Sequence, residues 1–260
     1  MTAAVIILAL ASAVVPAHAR ELCAERPGQT TPPCTVERGR VVLETSLIGW
    51  SLQQSATSRE DTLTIAQSTV RIGIADHGEI AIGLTPFATR RVRDNLAATV
   101  NQQSGVGDLV FAVKRSFGRA DAPGVAIRAY VSAPVGRPPS GAGNWTAGAA
   151  VPVSIPFSDA IELSLTPEIN GVVNGSGRGH HLSYGGAAGL AFKLTGAVSF
   201  NTDVRVVRDD DPASASTKAA FGTSVAYLTR GNLQLDVGGN FGVNRATPGV
   251  ELYFGIAKQF

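Results

Sequence analysis

From residue 40 to the end of the chain, apolar and polar side chains alternate with a period of two. Leu109, Phe111 and Val113 stand against Asp108, Ala112 and Lys114, and Val125, Ile127, Ala129 and Val131 against Ala126, Arg128, Tyr130 and Ser132. Leu182, Tyr184, Leu190, Phe192 and Leu194 oppose Ser183, Gly185, Ala187, Gly189 and Lys193. Nearer the C-terminus, Leu233, Leu235, Val237 and Phe241 face away from Gln234, Asp236 and Asn240, and Val250, Leu252, Phe254 and Ile256 from Glu251, Tyr253 and Gln259. A strand sends successive side chains to opposite faces, whereas a helix needs apolar partners three and four residues away. The pattern predicts about twelve strands, at 40–50, 61–74, 79–88, 107–116, 124–134, 145–156, 161–171, 182–194, 197–207, 217–228, 233–243 and 249–260. Most exceed the ~5–6 residues of globular strands and suit the ~9–11 of a tilted strand that crosses a bilayer.

The gaps between these strands alternate as well. After odd-numbered strands they are long, as at 89–106 and 208–216; after even-numbered ones they are short, as at 75–78, 157–160 and 195–196. The gap at 244–248 is the exception. Long loops on one side and tight turns on the other are the layout of an outer-membrane barrel, so the expected fold is all-β, an antiparallel up-and-down transmembrane barrel. A periplasmic all-β domain is the alternative. Pro86, Pro152 and Pro167 fall inside predicted strands, and a closed barrel has no edge strand to shelter them. Pro86 and Pro167, which end the shared patterns Ile80-x-x-x-Leu84-Thr85-Pro86 and Ile161-x-x-x-Leu165-Thr166-Pro167, are expected at bulges or strand exits near the outer ends of their strands. Phe260 closes the last alternating strand, the kind of terminal aromatic that the barrel-insertion machinery reads. Lys258 interrupts that apolar lane.

The first segment carries no strand pattern. Thirteen apolar residues from Ala3 to Val15 are too few to span a bilayer as a helix, and Ala17-His18-Ala19 supplies a small-x-small cleavage site. Residues 1–19 therefore read as a signal peptide, although no Lys or Arg precedes the apolar run; a buried N-terminal helix is the alternative. Arg20-Glu21-Leu22 before Cys23 does not make a lipidation box. Residues 20–39 form a segment rich in Pro and Gly, and 40–260 the barrel. Cys23 and Cys34 lie eleven apart, and export to an oxidising compartment favours their pairing as a disulfide. A reactive thiol pair or a metal site is the lesser alternative, since no His or further Cys is near. The segment is expected either inside the lumen or on the periplasmic side.

Charge narrows the function. With 22 Lys and Arg against 20 Asp and Glu, the net charge of +2 gives no electrostatic case for nucleic acid. No nucleotide loop, metal-ligand spacing or catalytic-triad order is present, and no cofactor is expected. The lane opposite the apolar one holds Glu44, Arg71, Asp108, Lys114, Arg128, Glu162, Glu168, Lys193, Asp203, Arg205, Asp236 and Glu251, seven acids and five bases. These are the pore-lining candidates, because a basic group on the lipid face costs about 2–4 kcal/mol at mid-bilayer. Either they pair across strands and fill the lumen, or they line a narrow aqueous path.

The chain resembles the bacterial outer-membrane barrel family of MetA-pathway phenol-degradation transporters. The residues that carry the likeness are Cys23-Ala24-Glu25-Arg26-Pro27-Gly28-Gln29-Thr30-Thr31-Pro32-Pro33-Cys34, Val42-x-Glu44-Thr45, Gly105-Val106-Gly107-Asp108 with Lys114, and Glu251-Leu252-Tyr253-x-Gly255-Ile256-Ala257-x-x-Phe260. It spans essentially the whole mature chain and implies an outer-membrane channel for small solutes, aromatic or hydrophobic ones included. It carries over no catalytic or substrate-binding residue. A structural or adhesive barrel with a plugged lumen is the alternative. Arg90-Arg91-x-Arg93 and Asp209-Asp210-Asp211 are the charge runs that motivate adhesion, and their plainer reading is solvated loops or contacts to lipopolysaccharide and its divalent cations. A membrane-embedded hydrolase built on Gly179-His180-His181-x-Ser183 is the remaining reading.

Overall fold

In a computed structural model of the chain, residues 22–118 and 124–260 are described. The predicted signal peptide lies outside them. The described residues form fifteen strands and no helix: β1 (Val41–Gln54), β2 (Ser58–Ala75), β3 (Gly78–Leu84), β4 (Phe87–Asp94), β5 (Thr99–Gly105), β6 (Leu109–Phe117), β7 (Gly124–Ala133), β8 (Thr146–Ala150), β9 (Val153–Pro156), β10 (Ile161–Val173), β11 (His180–Lys193), β12 (Val198–Asp209), β13 (Ser216–Leu228), β14 (Leu233–Gly242) and β15 (Val250–Gln259).

One antiparallel sheet contains them all. β1 pairs with β2 on one side and β15 on the other, so the sheet closes on itself. Both β3 and β4 pair with β2, as two halves of one interrupted strand. β5 and β6 continue the next position, and β8 and β9 together lie between β7 and β10. Counted around its girth, the barrel has twelve strands. At the seam Phe260 exchanges backbone hydrogen bonds with Val41, its N–H donating at 2.8 Å and its carbonyl accepting at 3.3 Å.

The prolines explain most of the interruptions. Pro86 separates β3 from β4 at the level where Ala66 of β2 turns left-handed, with φ 55°. At this level the outward lane of β2 shifts by one residue, so Ile65 and Val70 are both exposed. Pro152 separates β8 from β9, yet its carbonyl still accepts the Ala126 N–H at 2.8 Å. Pro167 needs neither bulge nor strand exit, which corrects the expectation. It sits in register within β10 opposite Gly186, and its carbonyl accepts the Val151 N–H at 3.0 Å. Each of these two prolines removes one bond of an antiparallel pair and keeps the other, so the ladder runs on through it.

Two predicted outer loops are strands. β1 and β2 run on until only residues 55–57 join them, and β4 with β5 makes a hairpin across most of 89–106. The polar composition of these stretches reads as loop, but above a bilayer a strand needs no apolar face.

The alternation sorts as its period demands. Ile82, Phe111, Val113, Ile127 and Val204 are exposed on the outer surface, and Ala112, Lys114, Ala126 and Asp203 are buried toward the axis. Replacing the mid-barrel Ile82 by Arg is therefore expected to lower stability by about 2–4 kcal/mol in denaturant titrations from lipid vesicles. An unchanged midpoint and slope would contradict the outward placement of this lane.

Candidate functional site

The lumen is occupied by the chain itself. Residues 22–39 enter beside β2, cross the barrel to β12–β15, and return to run beside Gly73 before β1 begins. A disulfide between Cys23 and Cys34 clasps the two limbs of this loop. With three prolines, a glycine and no alternation from Pro27 to Pro33, the segment has no strand to pair with, and its backbone polar groups are enclosed by the barrel wall. Such groups must find partners.

The inward lane supplies them. The N–H of Glu25 donates to Glu44 at 2.9 Å, that of Gly28 to the Tyr253 hydroxyl at 3.1 Å, and that of Gln29 to Asp203 at 3.1 Å. Thr31 N–H donates to Thr166 Oγ1 at 2.9 Å and Val36 N–H to Glu79 at 2.6 Å. On the acceptor side, Cys23 O takes a bond from Arg71 at 2.6 Å, Arg26 O from Gln234 at 2.8 Å and Pro32 O from Lys114 at 3.4 Å. Side-chain ion pairs add to these: Arg26 with Asp236 at 2.8 Å, and Glu25 with Lys114 at 2.8 Å. Gly255 makes room for the first, since a Cβ there would lie 2.3 Å from the Arg26 guanidinium.

One ionic cluster anchors the base of the loop. Arg71, with no exposed surface, holds Glu44 at 2.7 Å and Glu79 at 2.8 Å while reaching the Cys23 carbonyl. Lys114 joins from β6, 3.3 Å from Glu79 and beside Glu25. Glu44, Arg71, Glu79 and Lys114 come from β1, β2, β3 and β6, neighbours around the wall, so the sheet register alone brings them together. Removing one member of such a group leaves buried charge uncompensated.

Of the twelve predicted lumen residues, Glu44, Arg71, Lys114, Asp203 and Asp236 bind the loop. Asp108 is buried but folds the 134–145 connection inward, accepting N–H bonds from Gly136 at 2.9 Å and Ala142 at 2.7 Å. Glu168 pairs with Arg205, and Glu251 accepts a bond from Asn240 at 3.0 Å. Arg128 lies 5.8 Å from the Tyr130 ring centroid, with no carboxylate within ion-pair distance among the described residues. Glu162 and Lys193 face the lower mouth. Glu79 and the loop's own Glu25, Arg26 and Gln29 also belong to this contact and lie outside the predicted set. Glu79 was findable, since Ile80 and Ile82 point outward beside it.

Space remains on both sides of the loop. Above it, open cavities of about 350 Å³ over Gly28 and Tyr253 and about 630 Å³ beneath Ser140 and Asn174 share Gln67. A third, of about 280 Å³, lies between Arg128, Glu168 and Arg205. Below it, a mouth of about 720 Å³ runs from Cys34 and Glu37 to Glu162 and Lys193.

The His-rich outer loop has a different arrangement from a hydrolase site. His181 spans Asn174 Oδ1 at 2.9 Å and Asp209 Oδ1, and no hydrogen bond joins it to Ser183 among the described residues. Asp211 accepts the backbone N–H groups of Ala213 and Gly175, which hold its carboxyl below the usual range. The cluster ties the 174–179 loop to the 210–215 loop.

A closed, outwardly apolar barrel with a polar, partly occupied lumen defines a membrane-barrel class of protein. The chain belongs to the family described as "Putative MetA-pathway of phenol degradation", which it matches over residues 24–259. Its fold is similar to that of an outer membrane channel from Pseudomonas putida F1, at TM-score 0.69 and 14% identity, covering 90% of this chain and 99% of that one. It also resembles the KdgM porin in complex with disordered oligogalacturonate (TM-score 0.52, 8% identity, 85% and 99% covered) and the β domain of the Bordetella autotransporter BrkA (0.53, 12%, 86% and 100%). No curated protein sequence matches the chain.

Arg71→Met is expected to lower stability by about 3–5 kcal/mol, because Glu44 loses its counter-ion and Glu79 is left with Lys114 alone. The shift of the unfolding transition in detergent checks it, and a variant as stable as the parent would contradict the cluster's role.

Proposed function

We propose that the protein is an outer-membrane channel for small solutes, with the disulfide-clasped loop of residues 22–39 as its constriction. The observation that carries this reading is the pair of spaces, above and below the loop, inside a barrel with an apolar exterior. A barrel meant only as a wall has no need of cavities that open to both sides. The family's description supports aromatic solutes of the phenol type, and the fold it shares with an outer membrane channel and a porin supports export to the outer membrane. In this reading residues 1–19 are the export signal, Phe260 is what the insertion machinery recognises, and the protein performs no catalysis.

A second reading is a sealed structural barrel, which the density of hydrogen bonds between loop and wall favours. Currents separate the two. Single-channel recordings in planar bilayers are expected to show small discrete steps for the mature chain, and conductance several-fold larger once residues 22–39 are deleted. Silence from the intact, heat-modifiable barrel, together with large pores from the deletion variant, would establish the sealed reading instead. Equal currents from both would remove the loop from any role in the path.

A further inference from the structure

The hairpin of β4 and β5 carries a charge arrangement that the lumen does not use. On β2, the outward lane runs through Ile74, Ile72 and Val70, shifts at Ala66, and continues through Ile65 and Leu63 to Asp61 and Arg59. Backbone register places Arg91 of β4 directly opposite Asp61, and Arg93 directly opposite Arg59. All four therefore share the outer surface, next to one another.

Their height follows from strand geometry. Leu63 and Ile74 are eleven residues apart; at ~3.3 Å per residue and a tilt of ~40° this is roughly 28 Å along the barrel axis. An apolar band of ~25 Å matches the hydrocarbon layer. Asp61 and Arg91 thus sit just above it, at the level of lipid headgroups, and Arg59 and Arg93 one step higher.

The charges there do not balance. Arg59 makes a two-pronged contact with Asp61, at 2.8 and 2.9 Å. Arg90, on the inner face, is taken by Glu60. Arg91 and Arg93, both exposed, have no carboxylate within ion-pair distance among the described residues. Like charges directly opposite across strands destabilise a sheet, and Arg59 against Arg93 is such a pair. Arg208, a further outward arginine at the same rim, shows the contrasting solution: Asp210 neutralises it at 2.7 Å.

We propose that Arg59, Arg91 and Arg93 form a docking site for the phosphorylated sugar headgroup of an anionic glycolipid in the outer leaflet, lipid A. Planar guanidinium groups bind phosphate oxygens in pairs, and an anion between Arg59 and Arg93 turns their repulsion into a bridge. The acyl chains of the same lipid lie along Leu63, Ile65 and Phe87 beneath. The site anchors the protruding hairpin to the membrane surface. It rests on the outer-membrane placement proposed above and is independent of conduction.

Native mass spectrometry of the mature protein, titrated with lipid A in detergent, tests it. The parent chain is expected to bind one lipid A, and the R91Q/R93Q double variant to bind it about tenfold or more weakly. Lipid A stripped of its phosphates is expected to bind the parent as weakly, and inorganic phosphate alone to leave the complex in place. Equal affinity of parent and variant would overturn the site, as would equal affinity for the dephosphorylated lipid. Capture by inorganic phosphate at the same affinity would replace lipid recognition with a simple anion site. Currents from the same double variant, expected to match the parent, separate a failure of this site from a failure of the channel reading.

Discussion

A stretch of backbone that crosses the inside of a barrel has no neighbouring strand, and every buried N–H and C=O in it must nonetheless be paired. That constraint organises the interior of this protein. The bonds that a sheet would supply come instead from side chains: Glu44, Glu79, Tyr253, Asp203 and Thr166 accept from the loop, while Arg71, Gln234 and Lys114 donate to it. The polarity of the inward lane is thus the counterpart of the loop's backbone as well as the usual exclusion of charge from lipid. Arg71 joins the two roles, binding two wall carboxylates and a loop carbonyl at once.

Such an arrangement makes the loop hard to move piecemeal. The disulfide ties its limbs at the base, so withdrawing the apex from Asp203 and Asp236 does not by itself free the limbs beside Arg71. Releasing Arg71 leaves Glu44 buried without its counter-ion and Glu79 with Lys114 alone. A cluster of this kind adds less net stability than its short distances suggest, since desolvation offsets much of the attraction, but it penalises any rearrangement that separates its members. The loop's position is accordingly specified more by what breaking it would expose than by the strength of each bond.

The barrel itself was legible in the sequence because its two faces meet two different solvents. Strict alternation located the strands from Leu109 to Ala133 and from His180 to Gln259 to within a few residues. Legibility failed where that contrast is absent. Thr99–Gly105 extends beyond the apolar band and carries no lipid-facing lane, so it reads as loop although it is a strand. Pro167 reads as a break because the sequence does not show that its carbonyl alone keeps the ladder in register with Val151. Within the lumen, the lane was visible but its partners were not. Arg26 finds Asp236 at a separation of 210 residues, and nothing in a proline-rich stretch without periodicity reveals which wall residues it meets. Glu79 escaped notice through its position next to a turn, although the exposure of Ile82 three residues on implies that it faces inward.

The role of the inward lane as the loop's partner depends on the loop residing inside the barrel in the membrane. A photoreactive amino acid in place of Gln29, activated in intact outer membranes, reads this most directly. Gln29 lies against Asp203, so the crosslink mapped by mass spectrometry is expected on β12 or its immediate neighbours in the same chain. Adducts to other envelope proteins, with no intramolecular product, would place the segment outside the lumen and contradict the account.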